Sequence, residues 1–348
     1  FSAYPGELPI VNGGISIPGR NSIYLRFNGI ATQGGETGFG NPLSPSGANG
    51  NLQFLNCITD FHTMNGIAFH GAAGLLVSQC IVAHTGSSLT RSWSSGVDLW
   101  SAKGKPSENI IERTVSFENV DMECHTDGNG FTVDVNTTGA TFVNNIGFRN
   151  GGSCFRITGS SNTVMINNTC YDNGLDPDAS NVPPNNGCND ITIPAPKYPG
   201  EFYFNDTTTT LQGARLFNNL AVAGISRKSN VATVKQLGIN RTPTATGSNV
   251  GIDEGGTATF FTEPPLDLTL VAASAGNIIS KGTPTDAPQL DIGFDPRCIT
   301  KQVPKGSGVQ PWWQYSIDYE YIKSIGGTAY CFHPKVRSNP PDIGAYNH

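Results

Sequence analysis

Positive charge is scarce in this chain of 348 residues: 21 Lys and Arg stand against 27 Asp and Glu, a formal net charge of −6. A general nucleic-acid binder needs a basic field, so the balance argues against that class. It also disfavours an acidic substrate unless cations gather locally. No apolar run approaches the about 20 residues of a membrane-spanning helix, so no membrane partner is expected. None of the eight cysteines forms a CxxC pair, which argues against a zinc ribbon. Helical runs are scarce, and the leucine spacing of leucine-rich repeats is missing. A leader peptide is absent as well, and the chain reads as a mature or processed form.

What remains is turn chemistry. With 42 glycines and Asn and Thr throughout, the composition favours a turn-rich all-β protein. Eight cysteines suit four disulfides in an oxidising compartment. Four N-x-S/T sequons begin at Asn136, Asn167, Asn205 and Asn240. Together they predict a secreted, extracellular, glycosylated protein. A monomer is expected.

Repeats set the architecture. LQFLNCITDFHTMNG (from Leu52), LLVSQCIVAHTG (Leu75), IIERTVSFENVD (Ile110), TFVNNIGFRNGG (Thr141), TVMINNTCYDNG (Thr163) and ARLFNNLAVAG (Ala214) resemble one another. Their equivalent positions, Cys57, Cys80, Thr114, Asn145, Asn168 and Asn219, are separated by 23, 34, 31, 23 and 51 residues. A β-rich unit of this length repeated along a chain is a solenoid, with loops inserted where the step lengthens. Second strands fall between the repeats: NGIAFHG, SGVDLWS, NGFTVDV and SCFRITG. A parallel β-helix follows, all-β and right-handed, as one domain over 1–348. Its coils are clearest over 50–224, with irregular coils, loops and a cap over 225–348. Asn119, Asn150 and Asn173 recur at one corner, as stacked asparagines do. QPWWQYSIDYEYIKSIGG, from Gln310, is predicted to form a helix or an aromatic cap over the open coil end, stapled by Cys298 and Cys331.

Stacking the second strands gives a register. Val97-Asp98-Leu99 lies over Phe131-Thr132-Val133 and then Phe155-Arg156-Ile157, with apolar residues inward. Asp98, Thr132 and Arg156 then share one outward column, with Ala68 before Asp98. The adjacent column reads His70, Trp100, Asp134 and Thr158. Coils stack at about 4.8 Å, so these side chains are predicted to touch. The corner before Phe131 adds His125, Asp127 and Asn129, and Lys103 and Lys105 follow Trp100 on a loop. Acids, histidines, one arginine and one tryptophan on a flat sheet suit an extended polysaccharide.

The motifs AYPGELPIV, SSGVDLW, DGNGF and PDIGAY resemble secreted right-handed parallel β-helix proteins. SSGVDLW followed one coil later by GNGF is locally similar to the family 9 polysaccharide lyases, which include calcium-dependent pectate lyases. That resemblance implies β-elimination on a uronate-containing polysaccharide, Asp98 as a Ca2+ ligand, and a coil preceding Phe1. Two departures stand out. Ser94 and Ser95 replace a pair of acids, and Thr132 replaces the lysine that follows GNGF.

Three functions are open at this stage. In a lyase, His125 is the expected base, and Arg156 or Lys103 pairs with the substrate carboxylate where calcium does not. Asp98, Asp127 and Asp134 offer oxygens for calcium. In a glycoside hydrolase, Asp98 with Asp127 or Asp134 flanks the bond. A third reading is a non-catalytic carbohydrate binder. His70, Trp100, Lys103, Asn129, Thr132 and Asp134 are assigned to substrate binding in either enzyme.

Overall fold

Corners define this fold. Asn56, Gln79, Arg113, Asn144, Asn167 and Asn218, one per repeat, all take left-handed backbone with φ between 46° and 56°. Asparagine tolerates that region because its short amide bonds locally. A second corner follows at Phe61, His84, Glu118, Arg149 and Asp172, with φ between 51° and 57°. Between corners the chain has room only for strands of three to six residues, as in Ala73–Ser78, Ile81–Ala83 and Ser95–Trp100. Each coil thus carries three strands, one more than the sequence pattern alone reveals.

The computed structural model describes residues 1–17, 24–40, 50–71, 73–90, 93–176, 201–205, 215–222, 288–305 and 308–337, with short strands at 244–245, 250–252, 261–263 and 267–270. Like strands stack in parallel into sheets of nine, seven and eight strands, a right-handed parallel β-helix. Asn240, the PDIGAY tail and most of 225–265 lie outside the described residues. Within that last stretch, the strands at 244–245 and 250–252 extend two of the sheets.

Two asparagine ladders run along the corners. In one, the Asn145 amide donates to Asn168 Oδ1 at 3.0 Å and the Asn168 amide to Asn219 Oδ1 at 2.9 Å. In the other, Asn119 donates to Asn150 and Asn150 to Asn173, both at 2.7 Å, and Asn173 ends on Glu201 at 2.6 Å. These amides are buried, so each needs its neighbour one coil away.

Inside the coils Phe131, Phe155 and Phe202 stack at 4.7 and 5.2 Å. A second apolar core lies outside the nine-stranded sheet. Ile58, Ile81, Val115, Phe117, Ile146 and Phe148 face outward there and are covered by Ile292, Phe294, Tyr315, Ile317, Ile322 and Phe332. The Gln310 segment does carry a helix, Tyr319–Ser324, and Cys298 is joined to Cys331. The cap is lateral, however. It lies along the flank of the solenoid rather than over an open end, because the nine-stranded sheet is apolar on both faces.

Two expectations need correction. Cys154 pairs with Cys170 and Cys124 is also disulfide-bonded, but Cys57 and Cys80 are free thiols. Their sulfurs donate to Leu55 O at 3.3 Å and Phe54 O at 3.4 Å. Four disulfides are therefore not formed. The Asn167 sequon is buried and closed to a glycan, whereas Asn136 is exposed.

Candidate functional site

The seven-stranded sheet carries the predicted column in the predicted register. Asp98 pairs with Ala68 on one side and Thr132 on the other, and Arg156 follows opposite Thr132. The strand Phe202–Asn205 then places Tyr203 opposite Arg156. The surface is recessed rather than flat. Asp98 keeps 7% of its surface exposed and Arg156 8%, while Trp100, Asp134 and Tyr203 are half-buried and form the outer edge.

Charge pairing inside the strip is specific. The Arg156 guanidinium is ion-paired with Asp127, donates to Thr126 O at 3.0 Å and to Thr158 Oγ1 at 3.2 Å. Asp127 Oδ1 also receives the Asn129 amide at 3.0 Å, and its Oδ2 receives the Thr126 hydroxyl at 3.2 Å. Asp127 and Arg156 are therefore held chiefly by each other. The turn before Asn129–Val133 brings the acid onto the guanidinium, so these two candidate catalytic residues form one ion pair.

Asp98 has a different neighbour, His70 Nε2 at 3.6 Å. His70 in turn lies edge-on to Trp100, ring centroids 5.1 Å apart. Burial pushes the Asp98 carboxyl above the usual range, opposed by His70 and reinforced by the charge of Asp127. Burial and the charge of Asp98 push Asp134 up to about 6. Asp121 lies behind Asp127 and accepts from the Thr126 hydroxyl at 3.1 Å and the Asp127 N–H at 3.3 Å. Burial, then Asp127, raises it to about 7. Tyr203 is raised too, by burial first, with Arg156 opposing.

The two departures from the lyase motif touch. Ser95 Oγ and Thr132 Oγ1 lie 2.9 Å apart, and the Asn129 amide donates to Thr132 at 3.1 Å. A neutral hydroxyl pair thus occupies the place where the resemblance implies a carboxylate and an ammonium. Thr132 and Asn129 are internal partners of this network, buried at 3% and 0% exposure.

Two candidates sit apart. His125, at a left-handed corner, bonds Asp176 through Nδ1 at 2.8 Å. Lys103 is exposed and reaches Asn136 O at 3.4 Å, while Lys105 is exposed on the same loop. Neither lysine pairs with a strip carboxylate among the described salt bridges.

A calcium site was expected here. Among the described residues, the group of three possible ligands within mutual reach is Cys154, Cys170 and Glu201, and its cysteines are bonded to each other. Asp98, Asp127 and Asp134 are not gathered to that degree, and both oxygens of Asp127 already accept hydrogen bonds. Calcium needs 6–8 oxygens, so these residues do not fit it.

Tyr203 and Asp121 were not legible as site residues, although EFYF does alternate as a strand should. No helix among the described residues is long and apolar enough to cross a membrane. In comparisons with known proteins, no family model, no curated protein and no solved structure matches this chain.

Proposed function

We propose that the recessed strip is the catalytic centre of a polysaccharide hydrolase, with Asp134 as general acid and Asp98 as its ionised partner. One observation carries this reading: two carboxyls from neighbouring coils share the recessed strip, and burial first, then the charge of Asp98, raises Asp134 to about 6. That is the division of labour glycoside hydrolysis needs. Asp134 gives its proton to the leaving glycosidic oxygen as that bond breaks. Asp98 stabilises the developing oxocarbenium charge, and water supplies the new hydroxyl at the anomeric carbon and a proton that restores Asp134. Trp100, half-exposed beside the pair, supports a sugar ring.

Charge also favours hydrolysis over elimination from a uronate. The Asp127–Arg156 pair cancels, and the remaining acids would repel a polyanion. Secretion is part of the same proposal, since disulfides at Cys154–Cys170 and Cys298–Cys331 suit an oxidising compartment.

The test is a polysaccharide panel read by release of reducing ends. Asp98→Asn and Asp134→Asn are each expected to lower turnover by about 10²–10⁴-fold, with circular dichroism unchanged. Activity should fall as pH rises through about 6. No reducing-end release from any glycan refutes the reading.

β-Elimination is the second reading; it rests on the place of Arg156 in the outward column and requires the guanidinium to exchange Asp127 for a substrate carboxylate. It predicts ultraviolet absorbance from an unsaturated uronate, and a chelator series tests whether added Ca2+ contributes.

A further inference from the structure

We propose that the strip takes an amino-sugar polymer, a glycan bearing free ammonium groups, with Asp98 receiving the ammonium. This deepens the polysaccharide reading above and rests on it. Charge is the first reason. Arg156 is paired with Asp127 and Asp134 is the protonated acid of the proposed mechanism, which leaves Asp98, beside His70, as the carboxylate of the strip without a Lys or Arg partner among the described salt bridges. A uronate adds to that charge and a neutral glucan leaves it unchanged. An ammonium removes part of it.

The second reason does not depend on counting charges. Asp98 Oδ1 is buried without a hydrogen-bond partner, on a residue 7% exposed. Oδ2 is the oxygen that meets His70, at 3.6 Å from Nε2. A buried acceptor without a donor is costly, and native proteins seldom leave one. The preceding residues of the same column are Ala68 and Gly40, which have no polar side chain to offer. On the other side the Thr132 hydroxyl is engaged by Ser95 and Asn129. Among the described residues the column itself offers Oδ1 no donor, and a ligand can supply one. A sugar hydroxyl supplies one proton and no charge, whereas an ammonium supplies three protons and the opposite charge.

Trp100 strengthens the case. It follows Asp98 by two residues on the same strand and is half-exposed. Indole is the best of the aromatic partners for a cation and also a common platform for a sugar ring.

Binding of the full chain to hexamers of β-1,4-linked glucosamine, N-acetylglucosamine and glucose tests this by calorimetry, at mildly acidic pH where the amine is protonated. The glucosamine hexamer is expected to bind about tenfold or more tightly than either neutral hexamer, and the advantage should shrink as salt is raised. Asp98→Asn should abolish most of the preference while circular dichroism and the binding of the neutral hexamers are retained. Equal affinity for the three hexamers, no binding of any, or a preference that survives Asp98→Asn overturns the inference. Preferential binding without bond cleavage leaves this inference standing and defeats the hydrolase. Cleavage of the neutral hexamers with no preference does the reverse.

Discussion

Replacing His84 by Gln should remove a pH-dependent clamp on the lateral cap. His84 is fully buried, with Nδ1 2.7 Å from Asp60 Oδ1, and Nε2 2.9 Å from Tyr315 O and 3.4 Å from Glu118. Both ring nitrogens face acceptors, the arrangement of an imidazolium. Burial alone would lower the pKa, but Asp60 and Glu118 outweigh it and raise it from 6.5 to about 9. A folded-state pKa above the unfolded one gives stability that is complete below about 6.5 and is lost as pH rises through about 9. The gap, 9 minus 6.5, is worth roughly 3 kcal/mol at ~1.4 kcal/mol per unit. Asp134 and Asp121, raised to about 6 and about 7, lose their contributions as pH rises through those values in both proteins, so most of their loss is complete by about pH 7.5 and the difference between the proteins isolates His84. The assay is urea unfolding followed by the fluorescence of Trp312 and Trp313, at constant ionic strength from pH 6 to 9.5. Across that range wild type should lose about 3 kcal/mol more than His84→Gln, mostly above pH 7. His84→Gln should start about 3 kcal/mol or more lower at pH 6, since it leaves buried carboxylates without their cation, and then lose only what Asp121 and Asp134 contribute, staying nearly level above about pH 7.5. Parallel pH profiles for the two proteins would refute the reasoning.

Asn145→Ala should cost about 1–3 kcal/mol in thermal or urea unfolding, because it leaves Asn168 Oδ1 and Thr114 N–H without their ladder partner. A neutral result would mean that the ladder contributes no net stability. Arg156→Ala breaks a buried ion pair and strands Asp127, so a loss of about 3–5 kcal/mol is expected by the same measurement; Arg156→Lys should recover only part of it. Cys57 and Cys80 should resist a thiol reagent in the native protein and react after unfolding, because burial and their mutual contact hold Cys80 protonated. Rapid labelling of the native chain would contradict their placement inside the coils.

Much of the coil structure was legible because local chemistry fixes it. Val97-Asp98-Leu99 alternates, and the alternation placed Asp98 outward opposite Ala68 and Thr132. The asparagines at 119, 150 and 173 stack as their recurrence implied. The lateral cap was harder to see. Ile58-Thr59-Asp60, Val115-Ser116-Phe117 and Ile146-Gly147-Phe148 put their larger apolar residues outward, against the usual rule, and their cover comes from residues near 290–332. Within the site, sequence gave the columns but not the pairings. Asp127 meets Arg156 across 29 residues, and His125 bonds Asp176 across 51, because turn geometry aims those side chains. The even cysteine count suggested four bridges, yet Cys57 and Cys80 are stacked inward, each donating to backbone carbonyls instead.

A solenoid is ordinarily a chain of neighbours, each coil answering only to the next, and it can fray from an end. The lateral cap changes that. Asp60, His84, Glu118 and Arg149 belong to four successive coils of the nine-stranded sheet, and each bonds to the stretch Trp312–Tyr319. That stretch acts as a splint laid across the stack. Pulling one of these coils loose means detaching the splint from the other three, so the central coils should melt as one unit. The Asp98 strip, carried on the same coils, gains from this a backing that holds its columns in fixed alignment.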